Sequence, residues 1–344
     1  MNTGYSRTKA TQSKPIKIYN TLIEAGQYVV IKIPVGRIPS GNIISIKAHV
    51  YRGPRIGPCM VALGGVHGDE VNGVEIVRRS IEQGVFNHLY AGTVIAIPLL
   101  NVHGFINFSR DVPDGKDVNR SFPGNANGSL ASRVARIFTR EILPVIDFGI
   151  DFHTGGRGHY NYPQVRFNPD HAPSMDLAQA FGAPFTIAGK PIKSSLRRTA
   201  VEINKPIIVF EGGENLRFDE FSIQQGILGM KRVMKFKGML SEAPDAEATR
   251  NFTYTAWLRS PRSGMFHLLK SSGEQVKKDE VLAYITDPFG EERTQVVAKH
   301  SGYIIGHNNT PVISQGDALF HIASNQKPKI LTLKPKTRNP KPKK

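Results

Sequence analysis

Cysteine is almost missing from this chain. The single residue, Cys59, excludes an internal disulfide framework and any multi-cysteine zinc module. Tryptophan also occurs once, as Trp257, and neither it nor the tyrosines form the kind of stripe that stacks bases. Long apolar runs are lacking too. The longest, residues 92–100, is strand-sized and far below the about 18–20 residues that cross a bilayer. The first twenty residues hold no apolar core of the secretory type, so a cytoplasmic location is the expectation. Acidic residues are absent from both ends. Residues 1–20 carry four Lys or Arg and residues 325–344 carry eight, which leaves only +5 of the net +17 for the body. The Pro/Lys-rich C-terminal tail therefore reads as solvated, with weak polyanion contact as the alternative, and the body is not that of a nucleic-acid-binding protein.

What is present is an ordinary globular composition over 344 residues, 40% hydrophobic and 21% charged. Residues 59–66, 93–100, 148–153 and 206–210 read as buried strands. Residues 131–146 and 220–234 read as amphipathic helices, the first opened by a capping Ser129. Strands alternating with helices imply an α/β domain, with a mainly parallel mixed sheet covered by helices on both faces. After an acidic linker the pattern changes to short strands broken by turns, a small all-β unit. The expected division is a basic extension (1–20), a catalytic domain (21–240), a linker (241–251), a β domain (252–324) and a basic tail (325–344).

The strand ends carry the chemistry. They read Gly-Gly-Val-His67-Gly-Asp-Glu70, Asn-Val-His-Gly, Asp-Phe-His153-Thr-Gly-Gly and Glu211-Gly-Gly-Glu. In an open parallel sheet the crevice beyond the carboxyl ends is where ligands bind. His67 and Glu70, three apart at a turn into a helix, can reach one ion, and His153 arrives from another strand. Two histidines, one glutamate and an open position form the donor set of a catalytic zinc site. The loop between the second strand and the helix at 131–146 carries Arg110, Asn119 and Arg120, side chains suited to a carboxylate and a developing oxyanion.

These motifs occur in order and at suitable spacing, and together with Asp-Val-Asn119-Arg120-Ser-Phe-Pro-Gly they resemble the succinylglutamate desuccinylase/aspartoacylase family, within the zinc carboxypeptidase-like superfamily. The resemblance covers roughly residues 45–240, and its loop between Arg110 and Asn119 is longer than in aspartoacylase-like sequences. It implies one zinc per chain on His67, Glu70 and His153, and recognition of a substrate carboxylate by Asn119 and Arg120. It further implies help from Arg110 at the scissile carbonyl and Glu211 as general acid/base. The expected activity is hydrolysis of an N-acyl amino acid or related small carboxylate-bearing substrate, that is, a deacylase. The alternatives are a metallocarboxypeptidase acting on peptides, or a polyanion-binding protein with a vestigial metal site. No membrane partner is expected, and oligomeric state stays open. The β unit is similar to biotinyl/lipoyl carrier domains, but its hairpin tip, Thr286-Asp-Pro-Phe-Gly290, has no lysine to modify. It is expected to cover the active-site mouth, restrict substrate size or mediate assembly.

Overall fold

The computed structural model describes residues 14–325. The expected basic ends fall largely on residues 1–13 and 326–344, outside the described residues. After a short hairpin (Ile16–Ile18 and Thr21–Ile23) come β1 (Tyr28–Arg37), β2 (Ile43–Arg52), β3 (Cys59–Gly64), α1 (Val71–Glu82), β4 (Thr93–Ile97), α2 (Val102–Ile106) and α3 (Leu130–Glu141). They continue as β5 (Phe148–Gly155), β6 (His159–Phe167), α4 (Ala172–Phe181), β7 (Phe185–Ala188), α5 (Leu196–Glu202), β8 (Ile207–Glu214) and α6 (Glu220–Phe236). The C-terminal strands are β9 (Arg250–Phe252), β10 (Tyr254–Arg259), β11 (Gly264–Leu268), β12 (Val281–Thr286), β13 (Arg293–Val297), β14 (Gly302–Asn308) and β15 (Ala318–Ser324).

The main sheet runs β1-β2-β4-β3-β5-β8-β6-β14-β15-β10. It is mixed. The strands β4, β3, β5 and β8 pair in parallel at its centre, and β6 joins β8 antiparallel. Side chains alternate across this sheet with the period of two that a pleated strand imposes. On β3, Val61 and Leu63 enter a core with Val134 and Phe138 of α3 and Leu196 of α5. Met60 and Ala62 enter the opposite core with Ile76 of α1, Leu177 of α4 and Ile227 of α6. Helices thus cover both faces. Ser129 caps α3 by accepting from Ser132 N at 3.3 Å, as its position predicted.

Two features were not read from the pattern. The ten-residue strands β1 and β2 precede the first expected strand and pair as an antiparallel ribbon on the edge of the sheet. The β unit also does not stand apart as a separate sheet. Its strand β14 pairs antiparallel with β6, so β14, β15 and β10 extend the catalytic sheet. A second, four-stranded sheet includes β11, β12 and β13 and closes a further core around Phe266, Leu282, Ile285 and Phe320. Among the described residues no helix is long and apolar enough to cross a membrane. Cys59 is buried in β3, where loss of solvent pushes its thiol up to about 12, the behaviour of a packing residue and not of a nucleophile.

Candidate active site

All seven residues singled out from the sequence, His67, Glu70, Arg110, Asn119, Arg120, His153 and Glu211, line one pocket of about 310 Å³ beyond the carboxyl ends of β3, β5 and β8. Three of them form its floor. Ligand atoms of His67, Glu70 and His153 lie within 4.8 Å of one another, and all three residues are buried. His67 Nδ1 is 2.7 Å from Glu70 Oε1, His153 Nδ1 is 2.7 Å from Glu70 Oε2, and the two Nδ1 atoms are 3.1 Å apart.

The turn that presents His67 and Glu70 is built on close backbone approach. A Cβ on Gly68 would lie 2.0 Å from the carbonyl carbon of Gly104 in α2. Glu70 occupies the N-cap position of α1 but makes no cap bond there. Its carboxylate is turned to the two histidines and to Thr154 N, which donates to Oε2 at 3.1 Å. A position that ordinarily serves the helix is given over to the site. Gly68→Ala is therefore expected to shift this turn and to cost about 1–3 kcal/mol of stability from overpacking, read as a lower melting temperature.

Two carboxylates not recognised in the sequence set the imidazoles. His153 Nε2 donates to Asp151 Oδ2 at 2.8 Å, and His67 Nε2 to Asp117 Oδ1 at 3.2 Å. With Nε2 of each ring directed to a carboxylate, both Nδ1 atoms face the same point beside Glu70, where a neutral ring would offer its lone pair to an ion. Asp151 could have been found, since it lies two residues before His153 on one strand and so on the same face. Asp117 also pairs with Arg110, whose NH2 lies 3.0 Å away, while Arg110 NH1 reaches Glu70 Oε1 at 2.9 Å and His67 Nδ1 at 3.1 Å.

The electrostatics at this point favour positive charge. Burial opposes protonation of His153, yet Asp151 and Glu70 outweigh it and raise the ring well above its ordinary pKa. His67 is raised likewise by Glu70 and Asp117 against its burial. Burial works the other way on Glu70, but the two histidines hold its carboxyl well below the usual range. Two nitrogen donors and a carboxylate, oriented from behind by further carboxylates, fit a divalent transition metal such as zinc.

Glu211 stands beside this cluster because β8 runs parallel to β5 and places it in register with His153. Its Oε2 accepts from Asn161 Nδ2 at 3.0 Å, and Arg166 Nε lies 3.6 Å from Oε1. Asn119 Oδ1 accepts from Leu196 N at 3.0 Å, and Arg120 NH1 donates to the Asn119 carbonyl at 2.8 Å. The far wall comes from β6 and the C-terminal strands: His159, Asn161, Arg166, Trp257 and Ala318. The Trp257 ring stacks on His321, with centroids 4.2 Å apart, and meets His159 edge-on. Its isolation in the sequence offered no signal for this placement. Glu214 does not line the pocket and instead accepts from Asn309.

An α/β sheet with a candidate metal cluster and a further carboxylate beside it at its strand ends has the form of an enzyme site. The profile described as succinylglutamate desuccinylase/aspartoacylase catalytic domain matches residues 56–237, more than half of the chain, and the chain belongs to this family of deacylases. It is 27% identical over 343 residues to the N-alpha-acetyl-L-2,4-diaminobutyric acid deacetylase of Halomonas elongata, covering 91% of this chain and 96% of the relative. Among solved structures it is similar to the product-bound ectoine utilization protein EutE (DoeB) from Ruegeria pomeroyi, with a TM-score of 0.78, 25% identity and coverage of 91% and 99%. The fold is also that of a succinylglutamate desuccinylase/aspartoacylase from Rhodobacter sphaeroides, with a TM-score of 0.78, 24% identity and coverage of 87% and 96%.

Proposed function

We propose that the chain is a zinc-dependent amidohydrolase that removes the acyl group from a small N-acyl amino acid. The observation that carries this reading is the convergence of two Nδ1 atoms and the Glu70 carboxylate at one point of the pocket, with Glu211 beside it. His67, Glu70 and His153 would hold one zinc ion. Zinc supplies Lewis acidity there, bringing the pKa of water down to about 7 and polarising a carbonyl.

The chain's own groups account for the remaining steps. Glu211 takes a proton from the attacking water on a carboxylate oxygen and delivers it to the departing amine nitrogen. Arg110 NH1 lies at the edge of the cluster, 2.9 Å from Glu70 Oε1 and 3.1 Å from His67 Nδ1, where the guanidinium would donate to the carbonyl oxygen of a bound substrate. Asn119 has its Oδ1 committed to Leu196 N, which leaves its amide donors to join Arg120 on the substrate carboxylate. Arg120→Ala is expected to raise KM about 10- to 100-fold with little change in kcat, the signature of lost substrate binding.

The pocket volume is at the low end of the roughly 300–1,000 Å³ common for ligand sites. Trp257 and Ala318 close the side toward the C-terminal unit, which favours small substrates over peptides. We read that unit as a lipoyl-like scaffold without a carrier role, because residues 287–292, which link β12 and β13, contain no lysine. A cytoplasmic location accords with the single buried thiol. The test is hydrolysis of N-acetyl-L-2,4-diaminobutyrate, N-acetyl-L-aspartate, N-succinyl-L-glutamate and a C-terminally unblocked dipeptide, before and after chelation and zinc return. Zinc-dependent turnover of an N-acyl amino acid is expected. Preference for the dipeptide, or turnover unaffected by chelation, overturns the reading.

A further inference from the structure

The carboxylate of Glu211 is fixed from a neighbouring strand. Asn161, on β6 and 7% exposed, donates to Oε2 at 3.0 Å, whereas Oε1 has only the longer contact to Arg166. A regular ladder would not allow this. Glu211 pairs with Gln164, and an odd offset of three residues would turn Asn161 to the opposite face. The register shifts between Glu211 and Gly213, so that Gly213 pairs with Asn161. This bulge on β6 brings Asn161 back to the face of Glu211.

Asn161 is set in turn from its other edge, where it pairs with Gly306 of β14. A Cβ on Gly306 would lie 2.7 Å from Asn161 Oδ1, so the amide occupies the space that a side chain there would take. Gly306 is not among the glycines of positive φ, and the missing side chain is what matters at this position. The same junction is tied by Gln164 Nε2, which donates to the Ile305 carbonyl at 2.9 Å.

We propose that Asn161 is a positioning residue for Glu211, and that β14 of the C-terminal unit, through Gly306, is part of the catalytic apparatus. Holding Oε2 restricts the carboxylate to one rotamer and leaves Oε1 to exchange the proton, the orientation that general acid/base transfer requires. This rests on Glu211 being the acid/base of the proposed reaction.

The test uses the zinc-loaded full chain and the best substrate of the panel, with zinc content and melting temperature measured on each variant. Asn161→Ala is expected to lower kcat about 10- to 100-fold with KM nearly unchanged, the value of one hydrogen bond to a charged group. Asn161→Asp is isosteric but sets a like charge against Glu211, so its kcat should fall further than that of the Ala variant. Gly306→Ala, which touches neither substrate nor metal, should lower kcat in the same direction. An Asp variant milder than the Ala variant would mean that Asn161 only fills space, and overturns the proposal. So does near-normal kcat in both Asn161 variants when Glu211→Gln is inactive. Near-normal turnover in Glu211→Gln instead removes the acid/base assignment itself, and with it this inference.

Discussion

Glu211→Gln is expected to retain one zinc per chain while kcat falls roughly 10²- to 10⁴-fold. The two expectations separate because the residues do. The cluster of His67, Glu70 and His153 is complete without Glu211, and Glu211 is held from another direction by Asn161. The amide keeps the size of the carboxylate and can still meet a hydrogen-bond donor, so packing at the end of β8 should survive. It cannot take up a proton, and amide hydrolysis needs one moved from water to the leaving nitrogen. The measurement is zinc stoichiometry and steady-state kinetics on the same preparation. Loss of zinc would make Glu211 a ligand. Retention of turnover would put the base elsewhere in the pocket.

The second large effect concerns His153, whose replacement by Ala should abolish zinc binding and activity together. Two ligands remain, but the loss also strips a partner from two buried carboxylates. Glu70 Oε2 and Asp151 Oδ2 each lie within 2.8 Å of the ring and are almost fully buried. Glu70 keeps Arg110 and Thr154 N, but Asp151 loses the ring it faces, and removing one partner of a buried pair costs about 3–5 kcal/mol, so the melting temperature should fall as well. Asp151→Asn separates the two consequences. It keeps the ligand and removes only the charge behind it, and zinc affinity should then drop about 10- to 100-fold with the fold intact. Full zinc occupancy in the His153 variant would exclude it as a ligand.

Relatives supply a substrate to begin with but not a conclusion. The Halomonas elongata relative is described as a deacetylase of a diamino acid derivative, and at 27% identity that chemistry is a starting point for the panel. Arg166, Arg197 and Trp257 also line the pocket, and none of them belongs to the motifs that carry the family resemblance.

The sequence marked the residues that meet in the pocket where they stand in short runs at strand ends. Glycines beside His67, His153 and Glu211 mark turns where a chain leaves a buried strand, and the carboxyl ends of parallel strands come together by the topology of the α/β fold. That is enough to bring His67, Glu70, His153 and Glu211 together from three separated motifs. Helix α3 and its Ser129 cap were legible for a similar reason, since periodicity and capping are properties of a dozen neighbouring residues. What only the tertiary structure decided involves register and strand order. Nothing local states that β6 runs antiparallel beside β8, that a bulge turns Asn161 toward Glu211, or that β14 continues the sheet and brings Trp257 to the pocket wall. Asp117 is 50 residues from His67 in the chain and 3.2 Å from it in space. Such contacts join segments whose separate patterns carry no record of one another, because a strand's sequence encodes which faces are buried and not which neighbour will share its hydrogen bonds.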